Sequence, residues 1–326
     1  MPASISPPAL RSGDTIAIIP TARAIVLEEL RDGIALGESW GLKMKLGAGV
    51  GRRAFQQAGS AEERTADLQA AINDPEVRAI WCARGGYGTV HLMEHLDLSA
   101  LKKGPKWIVG FSDITVLHNA LHNMGVASIH GQMPHNIGAK SEETKETLRN
   151  ALFGEPYSVA SGEWRVAGLP TQLPLATHYS PIATPRGGTC EGILIGGNLS
   201  VLYSLRGTPY DLDPRGKILV LEDLDELLYH MDRMAMNMKL AGWFKDLAGL
   251  VVGGMNDMRN KNEADPFGSS AEHIIARMTA GTSYPIAFGM PFGHIADNRA
   301  LVLGQKAKLS VTDTGATLSF DGSGVV

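Results

Sequence analysis

The stretch WIVGFSDIT, Trp107 to Thr115, places a hydroxyl where an apolar run gives way to a helical pattern. A serine hydroxyl is a nucleophile only when a base takes its proton and a third group orients that base. Two residues at comparable places could supply those functions. Glu222 closes the apolar run ILVLE, and His294, in MPFGHIADN, follows the short apolar segment PIAFG with a glycine before it. Each of the three also has a plain explanation. A serine opening a helix is an ordinary N-cap worth about 1 kcal/mol, and on this fragment alone that is the simpler reading. An acid ending a strand is usually solvated, and a histidine after glycine is usually a turn residue. Their joint appearance in the order Ser, Glu, His points toward acyl transfer and leaves both readings open. The segment CARGGYGT, Cys82 to Thr89, ends another apolar run, and its glycines offer backbone N–H groups for an oxyanion. The rival reading, a phosphate cradle, lacks both G-x-x-x-x-G-K-[ST] and G-x-G-x-x-G spacing. Cys82 sits in an apolar strand interior, which makes it an inert thiol rather than a nucleophile.

These residues need a scaffold that brings strand ends together. In the first half, short apolar runs at 14–20, 42–47, 78–83, 106–111 and 127–132 alternate with helical patterns at 24–40, 61–72, 87–96 and 113–124. Strands separated by helices of this length predict βαβ units and a mostly parallel sheet covered on both faces. In open α/β sheets, ligands gather at the carboxyl ends of the strands, where Ser112 falls. The fold class expected is therefore α/β, with a Rossmann-like N-terminal domain over 1–160 and a smaller α/β C-terminal domain over 187–326. Between them the pattern fails: LPTQLPLATHYSPIATPRGG is rich in Pro, Thr and Gly, and 161–186 reads as a linker. The second half carries EGILIGG, GKILVLED, a long helical stretch over 226–244, and LAGLVVGGM. The final ALVLGQKAKLSVTDTGATLSF alternates like antiparallel strands with a turn at Thr314 and Gly315.

Five blocks in this order, RGGYG (84–88), GFSDIT (110–115), GGNLS (196–200), LED (221–223) and GH (293–294), resemble the LD-carboxypeptidases of peptidase family S66. That family also holds the microcin-C self-immunity peptidases. The resemblance spans most of the chain. It implies a Ser112, Glu222 and His294 triad, an oxyanion hole from the backbone N–H groups of Asp113 and Gly86, and a substrate site between the domains to which Gly85 and Asn198 are candidates. The plainer role for Asn198 is to cap the helix after its Gly-Gly turn. The implied reaction needs no metal and no cofactor: release of terminal D-alanine at the L,D bond of a murein tetrapeptide during cell-wall recycling. The expected partners are a muropeptide or related peptide and a second copy of the chain as a homodimer. The immunity-peptidase branch instead cuts an amide between an acidic residue and a nucleotide-like group, often with aromatic stacking residues on an extra loop. Trp164 and Tyr179 could stack in that way or simply pack.

The bulk properties narrow the classes. A net charge of -4, with Lys and Arg scattered, leaves no footprint for nucleic acid or an anionic membrane. No apolar stretch is long enough for a signal peptide or a bilayer span, and two cysteines make no disulfide framework, so the expected location is the cytoplasm. The pairs His118 with His122 and His91 with His95 have helical i, i+4 spacing but no H-E-x-x-H glutamate; they read as helix-edge histidines rather than metal ligands. The acids of EDLDE fit a helix N-terminus, and the Met-rich HMDRMAMNMKLAGWF reads as core packing or a dimer face. Two other functional classes stay in view: a muropeptide-binding protein without turnover, and a nucleotide-dependent enzyme using RGGYGT.

Overall fold

The computed structural model describes residues 4–161 and 185–322. Five strands, β1 Thr15–Ile19, β2 Lys43–Leu46, β3 Val77–Cys82, β4 Trp107–Gly110 and β5 Ser128–His130, pair in parallel in the order β2-β1-β3-β4-β5. β3 and β4 read as continuous apolar runs because helices cover both faces of the sheet. This order reverses direction between β1 and β3, and the crevice outside their carboxyl ends is where such sheets take ligands. The helices of this half are α1 Arg31–Ser39, α2 Ala61–Asn73, α3 Ala100–Lys103, α4 Thr115–Met124 and α5 Glu142–Phe153. α2 starts with a reciprocal cap: Glu63 N–H donates to Ser60 Oγ at 3.2 Å, and Ser60 N–H to Glu63 Oε2 at 2.9 Å.

Another sheet holds β6 Tyr157–Ala160 together with β7 Gly188–Asn198, β8 Ile218–Leu224, β9 Gly249–Asn256 and β10 Ile286–Ala287 of the second half. Its helices are α6 Leu199–Ser204, α7 Leu228–Leu240 and α8 Ala271–Met278. Three further strands close the chain: β11 Leu301–Leu303, β12 Lys306–Val311 and β13 Ala316–Phe320. β7, β8, β9 and β10 are parallel, and β12, β13 and β6 continue from β7 antiparallel. The molecule is thus α/β in two domains, with parallel-rich sheets in both.

Each sheet borrows a strand from the other half of the chain. β6 pairs with β13, although its sequence lies where regular patterning had been expected to end. β11 joins the first sheet antiparallel to β5, with Leu301 opposite His130, rather than continuing toward β12. The physical difference is visible in burial: all three residues of β11 are buried, whereas β12 alternates exposed and buried, so the first fits a covered sheet and the second a half-covered one. One hydrophobic cluster accordingly runs from Ile18, Trp81, Val109 and Ile129 through Leu301 into Leu194, Val220, Val251 and Leu309. α4 lies at the seam, buried on every side from Thr115 to His122.

The helices also differ locally from those expected. The segment after RGGYG forms only a short 3-10 turn, Thr89–Glu94, with the Thr89 N–H donating to the Asp113 carboxylate. A 3-10 turn, Leu27–Leu30, precedes α1. α5 and α8 were not anticipated, yet Ser141 and Ser270 cap them through Thr144 N–H and His273 N–H. Among the described residues no helix is long and apolar enough to cross a membrane.

Candidate active site

The chain leaves β4 through Phe111 in extended conformation and then turns sharply at Ser112, whose φ of 64° is left-handed. A non-glycine residue there costs about 1–2 kcal/mol, and such strain marks places where side-chain direction matters more than comfort. Ser112 is 8% exposed and makes no capping bond to α4 or the short turn before it. Its Oγ lies 3.0 Å from Nε2 of His294, 182 residues away in sequence. Nδ1 of the same imidazole lies 2.6 Å from Glu222 Oε2. With the ring proton on Nδ1, directed at the carboxylate, Nε2 is the acceptor for the serine hydroxyl.

Three local devices bring these groups together. Asn198 N–H, at the end of β7, donates to Thr115 Oγ1 in the first turn of α4 at 3.1 Å, tying the serine turn to the second sheet. The β7–β8 register then sets Glu222 beside Asn198. An irregularity in β8–β9 pairing falls between Leu221 and Asp223, at Glu222, the kind of bulge that re-aims a side chain. Gly293 closes the third side: a Cβ there would stand 2.7 Å from Glu222 Cβ and Oε2, so only glycine lets the His294 loop pass over the carboxylate. That loop is fixed by Gly293 N–H donating to Asn298 Oδ1 at 2.7 Å and by Asn256 Nδ2 donating to the His294 carbonyl at 2.7 Å. Asn298, fully buried, donates in turn to Gln132 Oε1 at 3.2 Å. The Phe111 ring packs 4.8 Å from the imidazole.

Electrostatics separate two adjacent acids. Glu222 is completely buried, which by itself would raise its carboxyl; the attraction and hydrogen bond of His294, with His130 and Asn198 behind them, outweigh burial and hold it below the ordinary value. It is therefore an anion aimed at the imidazole. Among the described residues its second oxygen, Oε1, has no hydrogen-bond partner, nor has either nitrogen of the buried His130. Asp223 is pushed up to about 7 by burial and then by Glu222, despite accepting from Asn198 Nδ2, Ser200 N–H and Leu224 N–H, each at 2.9 Å. Asn198 also caps α6, its Oδ1 accepting from Val201 N–H at 3.1 Å, so both its polar side-chain atoms are engaged inside the protein.

The glycine segment after β3 lies against the serine. A Cβ on Gly85 would stand 3.3 Å from Ser112 Cβ. The N–H groups of Gly86 and Asp113 have no acceptor among the described residues. Two side chains hold the segment: the Asp113 carboxylate accepts from Thr89 N–H at 2.8 Å, and the buried Arg64 donates through Nη1 to Gly88 O at 2.9 Å and Thr21 O at 2.6 Å. Sequence reasoning missed this clamp; an aspartate directly after the serine was its one visible trace. Cys82 is buried and its thiol pushed up to about 12 by burial, which leaves it protonated. His118 is not at a helix edge as expected: it is buried, bridging Ser128 Oγ at 2.8 Å and Gly110 O at 2.9 Å. His91 and His95 sit in and just after a 3-10 turn, whose threefold repeat removes the shared face that i, i+4 spacing would have given. Trp164 and Tyr179 lie outside the described residues.

Residues 16–131 match the LD-carboxypeptidase N-terminal domain, and residues 191–309 match the LD-carboxypeptidase C-terminal domain. The chain belongs to the LD-carboxypeptidase family, peptidase family S66. It is 34% identical to the "Probable murein peptide carboxypeptidase" of Bacillus subtilis over 317 residues, 96% of this chain and 93% of that one. It is 33% identical to the murein tetrapeptide carboxypeptidase of Pseudomonas aeruginosa over 299 residues, 90% of this chain and 92% of the relative. The muramoyltetrapeptide carboxypeptidase of Oxalobacter formigenes superposes with a TM-score of 0.78 at 28% identity, covering 94% of this chain and 98% of that one. The chain is thus an S66-family peptidase whose two matched domains carry the serine on one side and the glutamate and histidine on the other.

Proposed function

We propose that this enzyme is a serine LD-carboxypeptidase that releases the terminal D-alanine of a murein tetrapeptide. The observation that carries the reading is the left-handed Ser112, with its hydroxyl 3.0 Å from His294 Nε2 and the imidazole 2.6 Å from the buried Glu222. Ser112 Oγ attacks the scissile carbonyl carbon while His294 takes its proton; the same proton then passes to the leaving amine of D-alanine. Glu222 holds the imidazole in the tautomer that can accept this proton and stabilises the cation that forms. The N–H groups of Asp113 and Gly86 receive the negative charge that develops on the carbonyl oxygen. Water, activated by the same histidine, cleaves the acyl-enzyme and restores the serine. On this reading the enzyme works in the cytoplasm on recycled wall peptides, as a homodimer.

The test offers the purified protein a murein tetrapeptide and its all-L counterpart, with free alanine followed by mass spectrometry. Release from the L,D substrate alone, abolished in Ser112→Ala, is the expected result. Cleavage of an acyl-aminoacyl nucleotide analogue in place of the tetrapeptide would move the enzyme to the immunity-peptidase branch. Binding of the tetrapeptide by calorimetry with no product, unchanged by Ser112→Ala, would make it a binding protein.

A further inference from the structure

Three arginines surround the glycine segment that faces Ser112. Two are committed to the protein itself. Arg64 is spent on the Thr21 and Gly88 carbonyls. Arg84 pairs with Glu29 at 3.4 Å and reaches the Ala24 carbonyl at 3.4 Å. Arg23 differs: its side chain is exposed, and among the described residues its guanidinium has neither a hydrogen-bond acceptor nor an ionic partner. With Arg84 balanced by Glu29, Arg23 leaves one uncompensated positive charge at this edge.

Its position is set by close packing. Arg23 N–H donates to the Gly85 carbonyl at 3.5 Å, and its backbone bridges Gln57 on the other side. The aliphatic stem crosses Gly86 so tightly that a Cβ there would meet Arg23 Cγ at 2.5 Å. The neighbouring glycine, Gly85, faces Ser112 with 3.3 Å between a Cβ of its own and the serine Cβ. Arg23 and Ser112 therefore flank the same two-residue segment. Arg23 follows β1 and Gly86 follows β3, so the free cation sits in the crevice where the sheet order reverses, the place at which such folds bind ligands.

We propose that Arg23 is the receptor for the terminal carboxylate of the residue that is released, and so the determinant of carboxypeptidase over endopeptidase action. This rests on the serine-hydrolase reading above. The carboxylate carbon of a terminal residue lies three bonds, about 4 Å, from the scissile carbonyl carbon. A carbonyl oxygen held by Gly86 N–H thus brings its carboxylate within reach of a side chain lying across Gly86. A guanidinium fork suits a planar carboxylate, and the pairing is charge-assisted. A substrate without that negative charge leaves the cation unmatched and gains nothing from it.

The test compares kcat/KM for the tetrapeptide with a free terminal carboxylate against the same peptide as its C-terminal carboxamide, in the full-length wild type, Arg23→Gln and Arg23→Lys. The wild type is expected to favour the acid by roughly 10–100-fold, the range of a charge-assisted hydrogen bond. In Arg23→Gln that ratio collapses toward one, with the loss on the acid carried in KM, and Arg23→Lys recovers part of it. Unchanged melting temperatures establish that the variants fold. A ratio that stays the same in Arg23→Gln overturns the carboxylate assignment while leaving the hydrolase reading standing. If the wild type cleaves neither peptide, the hydrolase reading and this inference fall together.

Discussion

Glu222→Gln is the substitution that most sharply separates catalytic from structural importance. The change is isosteric and removes only charge and one acceptor. Glu222 is fully buried, it has one oxygen without a partner among the described residues, and its other oxygen is 2.6 Å from His294 Nδ1. In the proposed mechanism the imidazole becomes positive during reaction, and the carboxylate is the anion that stabilises it. With charge centres about 4 Å apart and an effective dielectric constant near 20, that attraction is worth about 4 kcal/mol. Its loss corresponds to roughly 10³-fold in kcat, and a misplaced tautomer carries the total toward ~10⁴. Stability is expected to fall only modestly beside this, because the fold holds the carboxyl below its ordinary value and so favours the anion that Gln lacks. The assay is kcat on the tetrapeptide at neutral pH beside urea denaturation of both proteins. A variant that keeps more than a tenth of the wild-type kcat would refute the assigned role of Glu222. So would a fall in kcat that merely tracks lost stability.

Ser112→Gly removes the hydroxyl and relieves the left-handed strain at φ 64°, so the variant is expected to be inactive yet more stable by about 1 kcal/mol, read from the urea midpoint. Asp113→Ala leaves the Thr89 N–H without its acceptor and removes the stronger of the two anions near the buried Arg64; a stability loss of about 1–3 kcal/mol is expected, with Asp113→Asn milder because its amide oxygen can still accept. The fold is also expected to be acid-labile. Burial holds His118 down to about 3 and His122 and His130 down to about 4, so between pH 5 and 6 these three are neutral when folded and take up protons on unfolding. Asp223, held up to about 7 by burial and then by Glu222, does the reverse and releases one. The balance is an uptake of about two protons, so stability should fall by roughly 2–3 kcal/mol for each pH unit lowered through that window. Urea midpoints that stay level from pH 6 to pH 5 would refute the buried-histidine account.

The parts of this molecule that could be read from sequence are those in which one physical rule acts along a continuous stretch. β3 and β4 of the first sheet were legible because a strand covered on both faces must be apolar throughout, as AIWC and WIVG are. Ser112, Glu222 and His294 were each legible as a residue near the stop of an apolar run, but only the resemblance of the five blocks made them a group, since Ser112 follows a strand of the first sheet and the other two belong with the second. What stayed hidden depends on pairs of residues that no period links. The Asp113 carboxylate on Thr89 N–H, Arg64 on Gly88 and Asn298 on Gln132 are polar contacts closed over 24, 24 and 166 residues, and nothing in the flanking sequence marks either partner. The exchange of β6 and β11 between sheets was hidden for a related reason: four or three residues are too few to show whether alternation or continuity rules. Arg23 belongs to the same class, an unremarkable arginine in a loop until the fold lays its stem across Gly86 and leaves its charge unanswered. The turn that carries the serine is thus written in the local pattern, whereas the contacts that surround it arise only when distant loops meet at the edge of the sheet.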